Sequence, residues 1–282
     1  MIRHPPPTSP SRLRLARVLR RGDCDLAEAA LLCCVEVEPD LDVDAELLRL
    51  DALADRLVTS GFAPRDARHD ADALGDFLAG QLGFGGDHAT YHDPSNALLT
   101  RVLDRRRGLP ITLSIVYIAI GRRAGIRAYG IDMPGHFLVG VAHSPRGDEP
   151  PVVIDPFHDG AIISQEQVSA RLRDAIGGRL ASPRALLRPA SAPAVVRRLL
   201  NNLTRDFLAQ GDVEDALWTI ELKRLLPGSG GHDVRVAAEL LIQLGRYREA
   251  AATVENHLRG APASEDADDL AQLALRARAR MN

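Results

Sequence analysis

Cysteine is scarce in this 282-residue chain, and only Cys24, Cys33 and Cys34 occur. Two of them are adjacent and cannot readily pair with each other. The odd count leaves one over, and no Cys-x-x-Cys or Cys/His spacing marks a zinc site. They read as small apolar side chains of a buried helix. Charge of one sign is lacking as well. The net charge is −3 at pH 7, so no general field favours nucleic acid. No apolar run approaches the roughly 18 residues of a membrane span. The proline- and arginine-rich first residues contain no apolar core of signal-peptide length. A cytoplasmic protein is expected, with no nucleic-acid partner and no membrane.

What is present is ordinary for a soluble globular protein: 45% hydrophobic and 26% charged residues. The length allows more than one domain. Residues 1–12 are rich in proline and serine and are expected to be disordered. Residues 13–176 read as an α+β domain with an N-terminal helical part. The stretch 41–57 is a clear amphipathic helix. Its acidic residues, Asp42, Asp44, Glu46, Asp51 and Asp55, read as a solvated face, since no glycine turns a calcium loop there. Residues 177–194 hold two glycines and three prolines and read as a linker. Residues 195–282 read as all helical. Within them Gly211 falls on Gly245 and Ala216 on Ala250, the 34-residue period of a tetratricopeptide repeat.

The chemistry concentrates between Arg107 and Asp155. An apolar helix is predicted from Pro110 to about Arg123, because proline suits a first helical position and Gly125 can end it. Its side chains leave almost no polar face, so it is expected to be buried on most sides. Short antiparallel strands follow. His136 comes after the Pro134–Gly135 turn at the start of one strand. Asp155 ends another. If the strands are neighbours, the carboxylate can accept the ring N–H and orient the imidazole. A structural His–Asp hydrogen bond beneath a loop explains the pair equally well.

A nucleophile would belong at the start of the Pro110 helix, where the helix dipole favours a thiolate. No cysteine is there. Thr112 and Ser114 are the available hydroxyls, but they sit about 200° apart on the helix and cannot both face one site. A hydroxyl would also need His136 as its base. Tyr91, Pro110 and Gly135 are expected to line a binding cleft, and Asn96 either binds a substrate amide there or, as the preferred reading, hydrogen-bonds its own loop. Gly80, Gly83, Gly85 and Gly86 mark a loop with no preceding strand and no following lysine, so a phosphate loop is not expected. Nothing in the spacing of His92, His136 and His158 argues for a metal, and no cofactor is expected. Trp218 lies on a repeat helix and reads as core.

The run YHDPSNALLTRVLDRRRGLPITLSIVYIAIGRRAGI, with GIDMPGHFLVG and VIDPF, resembles the SirB-type branch of the bacterial transglutaminase-like proteins. The resemblance covers roughly residues 25–260. It implies a papain- or transglutaminase-like core followed by tetratricopeptide helices, with His136 and Asp155 at the places of the catalytic histidine and aspartate. In those enzymes a cysteine starts the central helix, and the matching position here is Pro110. Two readings follow. In the first, a degenerate core without a thiol binds a protein or peptide through its cleft and its repeat helices. In the second, a hydrolase or acyl transferase uses Thr112 or Ser114 as nucleophile, His136 as base and Asp155 as orienter.

Overall fold

The computed structural model describes residues 8–143, 149–176, 187–260 and 266–281. They divide into two compact units. One spans Gly22–Leu199, and the other joins the chain up to Arg21 with the chain from Leu200 onward. The first helix, α1 (Pro10–Val18), thus groups with the C-terminal helices, whereas the sequence reading attached residues 13–21 to the α+β domain. Helix α1 also begins earlier than a disordered stretch 1–12 allows. Ser9 caps it by accepting the Arg12 N–H, and Pro10 takes the first turn, where its missing N–H costs nothing. Residues 1–7, and residues 177–186 of the expected linker, lie outside the described residues.

The Gly22–Leu199 unit begins with helices α2 (Leu26–Cys34), α3 (Val43–Thr59) and α4 (Ala67–Gly75), capped by Asp25, Asp42 and Asp66. Each carboxylate accepts N–H groups of the first turn that have no partner within the helix. Helix α4 continues as a π-helical stretch, Asp76–Gln81. The glycine loop expected next contains a short strand, β1 (Gly85–Gly86), which pairs in parallel with β2 (Arg107–Gly108). Helix α5 (Leu99–Arg105) precedes α6 (Pro110–Arg123), which is buried along nearly its whole length. Gly125, at φ +86°, follows its end.

Four antiparallel strands follow in sequential order: β3 (Ala128–Met133), β4 (His136–Val141), β5 (Val152–Asp155) and β6 (Ala161–Ile163). Met133 pairs with His136, so Pro134–Gly135 is a two-residue turn. Gly135 has φ +73°, the left-handed conformation that the third position of a type II turn demands after proline. Alternation along β4 and β5 gives His136, Leu138, Val153 and Asp155 one face of the sheet, and Phe137, Val139 and Ile154 the other. Leu138 and Val153 pack with Val168 and Leu172 of helix α7 (Gln165–Ile176). Gly130, paired with Val139, looks onto Ile118 of α6. The two faces of the sheet therefore carry different helices.

The second unit is helical. Besides α1 it contains the end of α8 (Ala192–Gln210), then α9 (Val213–Lys223), α10 (Gly231–Gln243), α11 (Tyr247–Gly260) and α12 (Ala267–Ala279). From α9 onward each helix packs on the next. Gly211 and Gly245 have φ of +82° and +72°, and Ala216 and Ala250 are fully buried. The glycines turn the chain between helices, and the alanines let the helices approach closely. Trp218 is core, edge-on to Phe207 at 5.8 Å. No helix among the described residues is long and apolar enough to cross a membrane.

Candidate functional site: a histidine–aspartate cluster beside aromatic rings

Asp155 ends β5 with no exposed surface. Three donors from three elements reach it. His136 Nε2, at the start of β4, is 2.9 Å from Oδ1. His158 Nδ1, in the short 3-10 turn Pro156–His158, is 2.8 Å from Oδ2. Arg171, on α7, donates to the same oxygen at 2.6 Å. Burial by itself would push the carboxyl up. The hydrogen bonds from His136 and Arg171, joined by His158, outweigh burial and hold Asp155 well below the usual carboxylate range.

The two histidines differ in access. His136 keeps 17% of its side chain exposed and His158 51%. Asp155 engages Nε2 of His136. No hydrogen bond from a described residue reaches its other ring nitrogen, Nδ1. With Nε2–H donating to the carboxylate, Nδ1 carries the lone pair. The pair thus has the form of an oriented general base.

An aromatic cluster borders it. Phe157 lies at its centre, with ring centroids of His88 at 4.5 Å, His158 at 5.4 Å, Tyr91 at 5.7 Å and His136 at 6.3 Å. Gly86 is what lets β1 approach this ring. A Cβ there would fall 2.7 Å from the Phe157 ring and 2.6 Å from its carbonyl oxygen. Half-buried Tyr91 is the one residue expected in the cleft that lies in this cluster.

The remaining sequence candidates stand elsewhere. Asn96 is fully buried and uses its amide internally. Its Nδ2 donates to the Thr90 carbonyl at 2.6 Å, and its Oδ1 accepts from Arg105 at 3.3 Å. Arg105 also holds Asp87 at 2.9 Å, and Asp87 accepts from Thr90. Asn96 is therefore a brace for the loop 87–96. Pro110 is buried in the first turn of α6, and Gly135 serves the hairpin turn.

Thr112 and Ser114 are both fully buried. Ser114 Oγ turns toward the Phe137 carbonyl at 3.5 Å, and Thr112 Oγ1 has no hydrogen-bond partner. Neither bonds His136. The reason is topological: both hydroxyls belong to the helix on one face of the sheet, while His136 and Asp155 leave it on the other. The thiols offer no substitute. All three are buried in or beside α2, and burial pushes Cys24 and Cys34 up to about 11. Burial also raises Cys33 well above the ordinary thiol value. A thiol nucleophile needs the opposite shift.

Two members of the cluster were not assigned a role from sequence. His158 enters the sequence reading only among three histidines whose spacing argues for no metal. Its signal was its place three residues after Asp155, where a tight turn can bring the ring back onto the carboxylate. Arg171 had no local signal, because α7 brings it back from another element.

An α+β core with a buried strand-end aspartate oriented toward a strand-start histidine is the layout of papain-like and transglutaminase-like proteins. The chain belongs to the transglutaminase-like superfamily, whose family model matches residues 44–201. Several bacterial proteins named UPF0162 are similar to it. One from Xylella fastidiosa is 38% identical over 46% of this chain and 46% of its own length. The matched stretch thus spans about half the length of that relative. One from Pseudomonas aeruginosa is 30% identical over 74% of this chain and 76% of its own length. One from Vibrio cholerae is 26% identical over 86% of this chain and 89% of its own. No solved structure matches the chain.

Proposed function

We propose that this chain is a non-catalytic, cytoplasmic, SirB-type member of the superfamily that recognises a protein or peptide. The cleft beside His136 and Phe157 is the recognition site of the α+β unit, suited to a peptide or amide side chain. His136 offers a lone pair to an amide N–H, and Tyr91 and Phe157 offer aromatic surface. The helices from Leu200 onward form a short tetratricopeptide-like array, a second surface for an extended partner. The glycines and alanines at matching positions support that reading.

One observation carries the non-catalytic assignment. The general base is present and oriented, but the buried hydroxyls of Thr112 and Ser114 do not bond it and every thiol is buried and raised. Acyl transfer through the chain needs a nucleophile within hydrogen-bond reach of the base.

A panel of peptide, amide and thioester substrates, offered to the full chain and to His136→Ala, tests it. No His136-dependent turnover is expected. On a peptide array, Tyr91→Ala is expected to weaken the retained peptides about tenfold, as loss of one aromatic anchor does. Turnover that disappears in His136→Ala and in either hydroxyl variant, with the fold kept, would restore the hydrolase reading.

A further inference from the structure

His136, Asp155 and His158 do more than share hydrogen bonds. A single ligand atom from each, two imidazole nitrogens and a carboxylate oxygen, all lie within 4.8 Å of one another. Two donors about 2.0–2.1 Å from one tetrahedral cation stand roughly 3.3–3.4 Å apart. The longest of these separations therefore has to close by at most about 1.5 Å, which a rotation of the half-exposed His158 ring can supply. His136 Nε2 and His158 Nδ1 already stand against the carboxylate, 2.9 Å from Oδ1 and 2.8 Å from Oδ2 respectively.

We propose that His136 Nε2, His158 Nδ1 and one Asp155 oxygen form a binding site for a divalent transition-metal ion of the Zn²⁺ and Co²⁺ class. The donor set selects the class. Two imidazoles disfavour Mg²⁺ and Ca²⁺, which prefer oxygen ligands, and no thiolate is present for a soft ion. Three protein ligands leave a position open for water or a ligand group. The site shares His136 with the proposed recognition cleft but does not depend on peptide binding, and a metal titration reads it without a peptide.

The proton balance is simple. In the metal-free cluster each neutral imidazole donates the N–H that faces Asp155. On binding, each ring changes tautomer, and its proton moves to the outer nitrogen, Nδ1 of His136 or Nε2 of His158. The facing nitrogen then presents its lone pair to the ion, and no net proton is released from neutral rings. Arg171 remains bonded to the carboxylate and fixes its plane, as partners behind a metal-ligating carboxylate do. Its positive charge beside the site opposes the ion, so the affinity is moderate rather than that of a structural zinc site.

The test is a Co²⁺ titration of the full-length, metal-stripped chain, followed by the visible absorption of the bound ion. One Co²⁺ per chain is expected, displaced by Zn²⁺. His158 is half exposed, so His158→Ala keeps the fold. That variant is expected to bind Co²⁺ at least about tenfold more weakly. His136→Ala should do the same, while His69→Ala, away from the cluster, binds as the unaltered chain does. No saturable Co²⁺ binding would overturn the site. So would equal affinity in the unaltered chain and in His158→Ala, each shown folded by circular dichroism.

Discussion

Asp155 and Lys223 are both buried charged residues, one in each unit, and they are held differently. Lys223 lies inside a helical array, where its Nζ donates to Thr204 at 2.8 Å. Thr204 in turn bonds Thr219 and the Leu200 carbonyl. These groups fix one helix against the next. Asp155 lies at a strand end, and its donors come from a strand, a turn and a helix. All three donors reach solvent, His158 most of all. A buried polar group enclosed by helices specifies packing. One at a strand end, with half-open partners, specifies a site.

That contrast can be broken experimentally. Asp155→Ala is expected to have the largest effect, a loss of about 3–5 kcal/mol in urea unfolding, because it strands three donors at once. The same residue gives the chain an acid dependence. Its carboxyl is held well below the unfolded value of about 3.9, so in that window the unfolded chain takes up the proton first. Stability therefore rises with pH there. The contribution is complete above about pH 5 and is lost as the pH falls through the unfolded value toward the folded one. Unfolding midpoints measured from about pH 5 downward should show this slope, and Asp155→Asn should flatten it.

In the helical unit the larger effect should come from packing. Ala250→Leu places extra carbons where Ala250 has no free surface, and about 1–3 kcal/mol should be lost. Lys223→Met removes the Nζ donor to Thr204, which keeps its bonds to Thr219 and Leu200, and should cost less than Asp155→Ala. A loss as large as that of Asp155→Ala would erase the difference between the two units. Thr112→Val should have the smallest effect. It removes a buried hydroxyl that has no partner, so thermal unfolding should be unchanged or raised by the equivalent of about 1 kcal/mol.

Much of the fold was legible because it depends on local patterns. Pro110 and Gly125 bracket α6, and the structure starts the helix at Pro110 and ends it at Arg123. Pro134–Gly135 marked the hairpin that presents His136, and Asp155 ends β5 where its run of apolar residues stops. The pairing of His136 with Asp155 could be inferred once their strands were taken as neighbours. The face on which they emerge could not. That depends on the register of β4 with β5 and on which helix covers each side, and it separates the hydroxyls from the base. Arg171 was invisible for the same reason, since only tertiary packing brings α7 to the strand end. The grouping of α1 with the C-terminal helices has no local signature either. Asn96 could be read as a loop brace or as a binding amide, and its bonds to Thr90 and Arg105 give it the first role.

The central claim is an oriented histidine without a nucleophile. The most direct test is the intact mass of the folded chain after treatment with a fluorophosphonate, which traps an activated hydroxyl, with the labelled residue located by peptide mapping. The account predicts no adduct on Thr112 or Ser114. An adduct on either, lost in His136→Ala, would contradict it.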